Sequence, residues 1–346
     1  MTEPGKQMKL QHQSALEAGF HMPAEWAPHQ ACWMAWPTRK TIWGQYLEEA
    51  AEGYANIARA IAQFEPVGML TPPAFTKAAA QLCGPTVDII SWDLDDSWLR
   101  DIGPNFLKRG DETAVSVFHF NAWGQKYEKF RKDAALGHRM AEALGLRSFT
   151  SPLFMEGGGI FCDGEGTVLT TEQCILNSNR NPGLTQAEAE YELCHALGAE
   201  KVIWLPGDPD DDETDGHVDG LACFIRPGAV LVEMDPDPAS RRHKILQKNL
   251  RALEQATDAR GRKLEIHYIE EANEMDAIGD RFCRSYINFY IANGGVVAPA
   301  YGIASDERAR TVLESCFPER KVVLVDVRGV ATGGGGIHCI TQQQPA

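Results

Sequence analysis

Short apolar runs recur along this chain at residues 87–90, 148–149, 202–205, 264–269 and 322–325, at a spacing of roughly 55 to 65 residues. A polar or glycine-rich loop follows each run. In the first four cases a pair of alternating stretches comes next, at 105–118, 160–170, 221–232 and 286–298, turning at Gly110, Gly164, Gly228 and Gly294. A repeat of this kind limits what the chain can fold into. One unit cannot bury its apolar face alone, so the units must stack into a solenoid or close into a ring. Residues 31–36 alternate like a strand and would complete the last unit, at 337–340, which favours closure.

Helical spacing closes the units. It appears in Tyr54, Ile57, Ala58 and Ile61, in Leu193 and Leu197 behind a Thr185–Glu188 capping box, and in Ile245, Leu246, Leu250 and Leu253. Ser305 is expected to cap a further helix carrying Val312 and Leu313. No linker rich in proline, serine or charge interrupts the pattern. The expected organisation is a flexible tail over 1–19 and a single catalytic domain over 20–346.

Composition excludes several classes. With 44% hydrophobic residues the chain can build a large core, yet no apolar run is long enough to cross a membrane and no secretory leader stands out. Its nine cysteines form no Cys-x-x-Cys pair, which points to reduced thiols in a cytoplasmic protein rather than a disulfide framework or a zinc site. A net charge of -15 disfavours nucleic acid and anionic membranes, and favours a small cation as the partner.

The chemistry-bearing residues gather in the loops ahead of the hairpins. They are Trp98, Arg100 and Asp101 in the first, Glu156 before Gly157–Gly159 in the second, and an acidic run at 208–215 with His217 and Asp219 in the third. Near the end of the chain, Gly333–Gly336 precede Cys339. Glycines in series let a backbone approach a ligand closely, and a thiol delivered by such a loop reads as a nucleophile. Plainer readings stand beside each assignment. Asp101 pairs with Arg100, Glu156 faces water, and Cys339 lies in a terminal strand. The acidic run is a solvated loop or an oxygen cluster without EF-hand spacing. His217 and Asp219 would share one face of a strand, suited to acid–base work or to a metal, although that loop carries no second histidine. Cys162, Cys194 and Cys223, like His119, His195 and His267, fall in regular elements and read as structural.

As an ordered set, these motifs resemble the agmatine deiminase family, relatives of the bacterial-type peptidylarginine deiminases. The likeness runs from about Phe20 to Gln343. It includes Met22–Trp26, Trp33–Pro37, Asp96–Pro104, Phe120–Gly124, Glu156 with its glycines, Gly216–Asp219 and Gly334–Gln343. The resemblance implies an α/β fold, a five-bladed pseudo-symmetric propeller with the active site on its central axis. It implies hydrolysis of agmatine to N-carbamoylputrescine and ammonia through a covalent thiouronium on Cys339. His217 and Glu156 would move protons, Asp101 and Asp219 would hold the guanidinium, and Trp98 would cover the aliphatic spacer. It further implies no metal, no cofactor, a homo-oligomer and a role in putrescine formation. Peptidylarginine or free-arginine deimination is the nearest alternative, with Arg281 or Arg284 available to a substrate carboxylate. A non-catalytic metal- or ligand-binding propeller is the alternative of another class. Carboxylates crowding Cys339 are expected to disfavour its thiolate until a cationic substrate binds.

Overall fold

The structure is a computed structural model that describes residues 13–279 and 281–346. Its strands are β1 His29–Ala35, β2 Val67–Thr71, β3 Asp88–Ser91, β4 Asn105–Arg109, β5 Glu112–His119, β6 Arg147–Phe154, β7 Ile160–Cys162 and β8 Thr167–Thr171. The remainder are β9 Lys201–Leu205, β10 Ala222–Arg226, β11 Ala229–Met234, β12 Glu265–Glu270, β13 Tyr290–Ala292, β14 Gly295–Ala300, β15 Lys321–Asp326 and β16 Thr341–Pro345. They form five small sheets, ordered β4-β5-β6, β7-β8-β9, β10-β11-β12, β13-β14-β15 and β16-β1-β2-β3. Each of the first four is an antiparallel hairpin whose second strand pairs in parallel with a strand that returns after a helix. In β7-β8-β9, Val168 faces Cys162 on one side and Val202 on the other. The repeat therefore yields the blades of a pseudo-fivefold α/β propeller.

Two details differ from the sequence expectation. Each recurring apolar run belongs with the hairpin before it, because the helix between them is the crossover that a parallel pair requires. In the first blade the run at 87–90 is an added edge strand, β3, and the strand equivalent to the other runs is the buried β2. A five-residue apolar stretch without alternation carries little periodic signal.

Closure occurs as anticipated, but through residues farther along. The strand begins at Thr341, and β16 pairs antiparallel with β1, Thr341 opposite Met34 and Gln343 opposite Cys32. Cys339 lies just ahead of it, in a 3-10 turn over His338–Ile340, so the expectation of a strand there is corrected. Ser305 is the first residue of its helix rather than its cap, and contributes no capping bond. The Thr185–Glu188 capping box is present in both directions. Residues 13–19 do not behave as a tail: Ala15 and Ala18 are buried, and Arg109 donates to the Ala18 carbonyl at 2.7 Å. Residues 1–12 of the expected tail lie outside the described residues.

Candidate active site

Short turns at the inner ends of the blades carry the polar residues inward. Asp101 lies in the turn Leu99–Ile102 before β4, Glu156 directly precedes the turn Gly157–Gly159 before β7, and Asp219 lies in Val218–Gly220 before β10. His217 is the residue before that last turn, not a strand residue. The turn geometry brings His217 and Asp219 to one place all the same. Two glycine positions show how tightly these turns meet. A Cβ on Gly158 would lie 2.7 Å from both Asp101 Oδ1 and His217 Nδ1, and one on Gly335 would lie 2.5 Å from the Trp98 ring. Neither space can hold a methyl group without moving its neighbours.

Cys339 is buried at 9% exposure. Its Sγ lies 3.3 Å from Asp219 Oδ2 and accepts from Asn288 Nδ2 at 3.2 Å. Burial, followed by the charges of Asp219 and Asp101, pushes the thiol well above its ordinary pKa, in the direction expected from its acidic neighbours. Asp219 itself is held low. Burial opposes its charge, but His338 Nδ1 at 2.9 Å, together with His217 and the Cys339 thiol, outweighs that effect. The other ring nitrogen of His338 meets Glu25 Oε1 at 3.0 Å, and Arg100 donates to the same oxygen at 3.1 Å. A chain of alternating charge thus fixes the carboxylate nearest the thiol.

Glu156 and His217 form a second pair. His217 Nε2 lies 3.1 Å from Glu156 Oε2, and His217 Nδ1 lies 3.8 Å from Asp101 Oδ1. Burial disfavours the imidazolium, yet Asp101, the Cys174 sulfur and Glu156 together raise the His217 pKa well above its usual value. Arg180 Nε donates to both oxygens of Glu156, at 3.1 and 2.9 Å, and its Nη1 bonds Asp215. Despite burial, this pairing keeps the Glu156 carboxyl below its ordinary range. Asp101 accepts from Trp123 Nε1 and from the Gly158 amide, both at 2.9 Å. Burial holds its pKa up, with Asp219 and Glu156 adding to the shift against His217.

All six expected site residues, Cys339, His217, Glu156, Asp101, Asp219 and Trp98, therefore lie in one buried cluster. A cavity of about 960 Å³ reaches His217, Asp219 and Cys339. A narrow second pocket is lined by Trp98, Asp101, Trp123, Tyr127, Glu213 and Cys339. Trp98 is fixed by stacking on Trp43, with ring centroids 5.3 Å apart. The arrangement suits a planar cation, because carboxylates on two sides match N–H edges and a sulfur stands beside them.

The profile of the Porphyromonas-type peptidyl-arginine deiminase family matches residues 21–345. The chain belongs to this family. A Legionella pneumophila (strain Paris) member is 45% identical over 331 residues, spanning 94% of this chain and 96% of its own. The agmatine deiminase of Pseudomonas aeruginosa (strain LESB58) is 41% identical over 354 residues, with 95% of this chain and 96% of that protein covered. The solved agmatine deiminase of Enterococcus faecalis superposes with a TM-score of 0.93 at 34% identity, covering 97% of this chain and 98% of that one.

Sequence reasoning assigned no role to Arg180, Asn288, Glu25 or His338. Glu25 and His338 fall within the motifs quoted above, but their contact joins the two ends of the chain and no local pattern reveals it. Arg180, in the turn after β8, carries no periodic signal. Arg281 pairs with Glu213, its Nε 2.8 Å from Oε1, and Arg284 donates to the Met275 carbonyl.

Proposed function

We propose that this protein is an agmatine deiminase. It hydrolyses agmatine to N-carbamoylputrescine and ammonia, with residues 20–346 acting as one catalytic unit. The observation that carries the reading is the Cys339 thiol set against Asp219, with Asp101, His217 and Glu156 around the same cavity. Family membership and the agmatine deiminases among the relatives support it.

In this mechanism the guanidinium lies between Asp101 and Asp219, which fix its N–H edges and localise its charge. The added cation offsets the carboxylates that hold the thiol neutral, so Cys339 releases its proton to water and the thiolate Sγ bonds the central carbon. His217, held protonated, donates to the departing nitrogen. The C–N bond breaks and ammonia leaves a thiouronium on Cys339. The now neutral His217, braced by Glu156, takes a proton from water as the oxygen adds to that carbon. The added hydroxyl then loses its proton to water, the C–S bond breaks with its electron pair going to sulfur, and N-carbamoylputrescine leaves a Cys339 thiolate. Trp98 covers the spacer, and the distal amine points toward Glu213 on the narrow pocket, whose oxygens are held by Arg281 and Tyr127. No step calls on a metal or an organic cofactor. We assign the protein to the cytoplasm as a homo-oligomer; no helix among the described residues is long and apolar enough to cross a membrane.

Ammonia release from agmatine, arginine and a blocked peptidyl-arginine, with Cys339→Ala in parallel, tests the reading. The expected result is turnover of agmatine with matching N-carbamoylputrescine, falling by about a thousandfold or more in the variant. Turnover of peptidyl-arginine in preference to agmatine would reassign the substrate, and a fully active Cys339→Ala would remove the mechanism.

A further inference from the structure

The cavity that reaches Cys339 is much larger than agmatine, a four-carbon chain between a guanidinium and an ammonium. At about 960 Å³ it lies near the upper end for small-molecule sites. Past Asn288 and Ser285 it continues to Glu233, Asp235 and Glu271. That far end carries more carboxylates than cations, with Arg242 and Arg284 set among Asp208, Glu233, Asp235 and Glu271. Arg242 must serve three carboxylates, bonding Asp208, approaching Glu271 Oε2 at 3.2 Å and Glu233 Oε2 at 3.5 Å. The ligands of Asp235 are neutral: the Ser240 hydroxyl, the Asn273 amide and the Asp237 backbone N–H.

Glu233 is the residue that turns this acidic cluster into a site. It is completely buried on β11, where Ser285 Oγ donates to its Oε1 at 2.8 Å. Glu233 lines the cavity, and its buried Oε2 makes no hydrogen bond among the described residues, its nearest cation being Arg242 Nη2 at 3.5 Å. A buried carboxylate oxygen left in that state is costly, and a donor carrying positive charge would satisfy it. Burial and the adjoining Glu271 charge, only partly countered by Arg242, push the Glu233 carboxyl up to about 8, which reports the same deficit.

We propose that Glu233, with Glu271 and Asp235, forms a subsite for an alkylammonium group. The enzyme would then accept guanidines whose tail carries a second amine beyond that of agmatine. The chemistry at Cys339 is unchanged: the guanidine carbon binds in the same place, and the lengthened tail runs down the cavity to supply the missing charge. This subsite presupposes the deiminase activity proposed above.

The test compares kcat/KM for agmatine with that for agmatine carrying a 3-aminopropyl group on its amine. Wild-type protein is expected to turn over the extended compound at least as efficiently as agmatine. In Glu233→Gln the ratio of extended to unextended kcat/KM should fall by about tenfold or more, the scale of one charged hydrogen bond. Glu271→Gln provides a second variant should Glu233→Gln fold poorly, with a fall in the same ratio expected. Turnover of agmatine but not of the extended compound by wild type would overturn the subsite while leaving the deiminase reading intact. So would an unchanged ratio in both folded variants. Failure to turn over either compound would instead remove the deiminase reading, and the subsite with it.

Discussion

Cys339 combines two features that oppose each other in the free protein. It is the nucleophile of the proposed reaction, yet burial and the Asp219 and Asp101 charges keep it a thiol. Because its pKa is raised, alkylation of Cys339 by a neutral reagent should be slow at pH 7 and keep accelerating above pH 9. A small guanidine bound beside the carboxylates should shift that profile to lower pH. Rates of alkylation with and without the guanidine, read by mass spectrometry, check this; identical profiles would contradict substrate-assisted deprotonation. Gly335 supplies a second prediction at this scale. A Cβ there meets the Trp98 ring at 2.5 Å, so Gly335→Ala must displace either the indole or the loop. A stability loss of about 1–3 kcal/mol is expected from such overpacking. A fall in kcat/KM should exceed that of an alanine substitution at exposed Gly279, because the displaced parts border Cys339.

The turns that bear Glu156 and Asp219 are held by buried ion pairs rather than by hydrophobic contact alone. Arg180 joins Glu156, Asp215 and the Thr214 carbonyl, tying the turn after β8 to the loop that ends in His217. Arg180→Met would leave buried Glu156 with only the His217 imidazolium beside it, a loss of about 3 kcal/mol. Denaturant unfolding would measure this. Arg180→Lys should recover part of it, because lysine restores the charge but not the fork that serves both oxygens. These pairs were not legible in the sequence. The carboxylates and the histidine stood out by residue type beside glycines, whereas Arg180 and Asn288 acquire meaning only through contacts made across blades.

The closure of the whole molecule depends on both ends of the chain. Strand β16 completes the sheet begun by β1, and Glu25, near the start, sits between Arg100 and His338. Removing residues 341–346 should leave β1 unpaired on one side and release the turn that holds Cys339. Loss of activity together with a lower Tm is the expected outcome. Glu25 also links closure to pH. Burial works against its charge, but Arg100 and His338 bring its pKa down to about 2 from an ordinary 4.5. A carboxylate depressed on folding contributes stability that is complete above about pH 4.5 and is lost as pH falls toward 2. Glu25→Gln should therefore flatten the decline of unfolding free energy across that window, as measured by urea titrations at successive pH values.

The recurrence of apolar runs and glycine turns determined that the chain forms hairpin-based blades, and the 31–36 stretch indicated that they close. Residue chemistry marked the loops before β4, β7 and β10, and the one ahead of Cys339, as places where polar groups converge, because each loop occupies the same place in its repeat. The family resemblance, not local chemistry, picked Asp101, Glu156, Asp219 and Trp98 from among their neighbours. Tertiary structure decided the rest. It set which strand pairs with which hairpin, moved Cys339 from a strand into a turn, and put His338 between Asp219 and Glu25. It also set Glu233 on a cavity lined by more carboxylates than cations. Those outcomes depend on distances between residues far apart in the chain, which local periodicity does not encode.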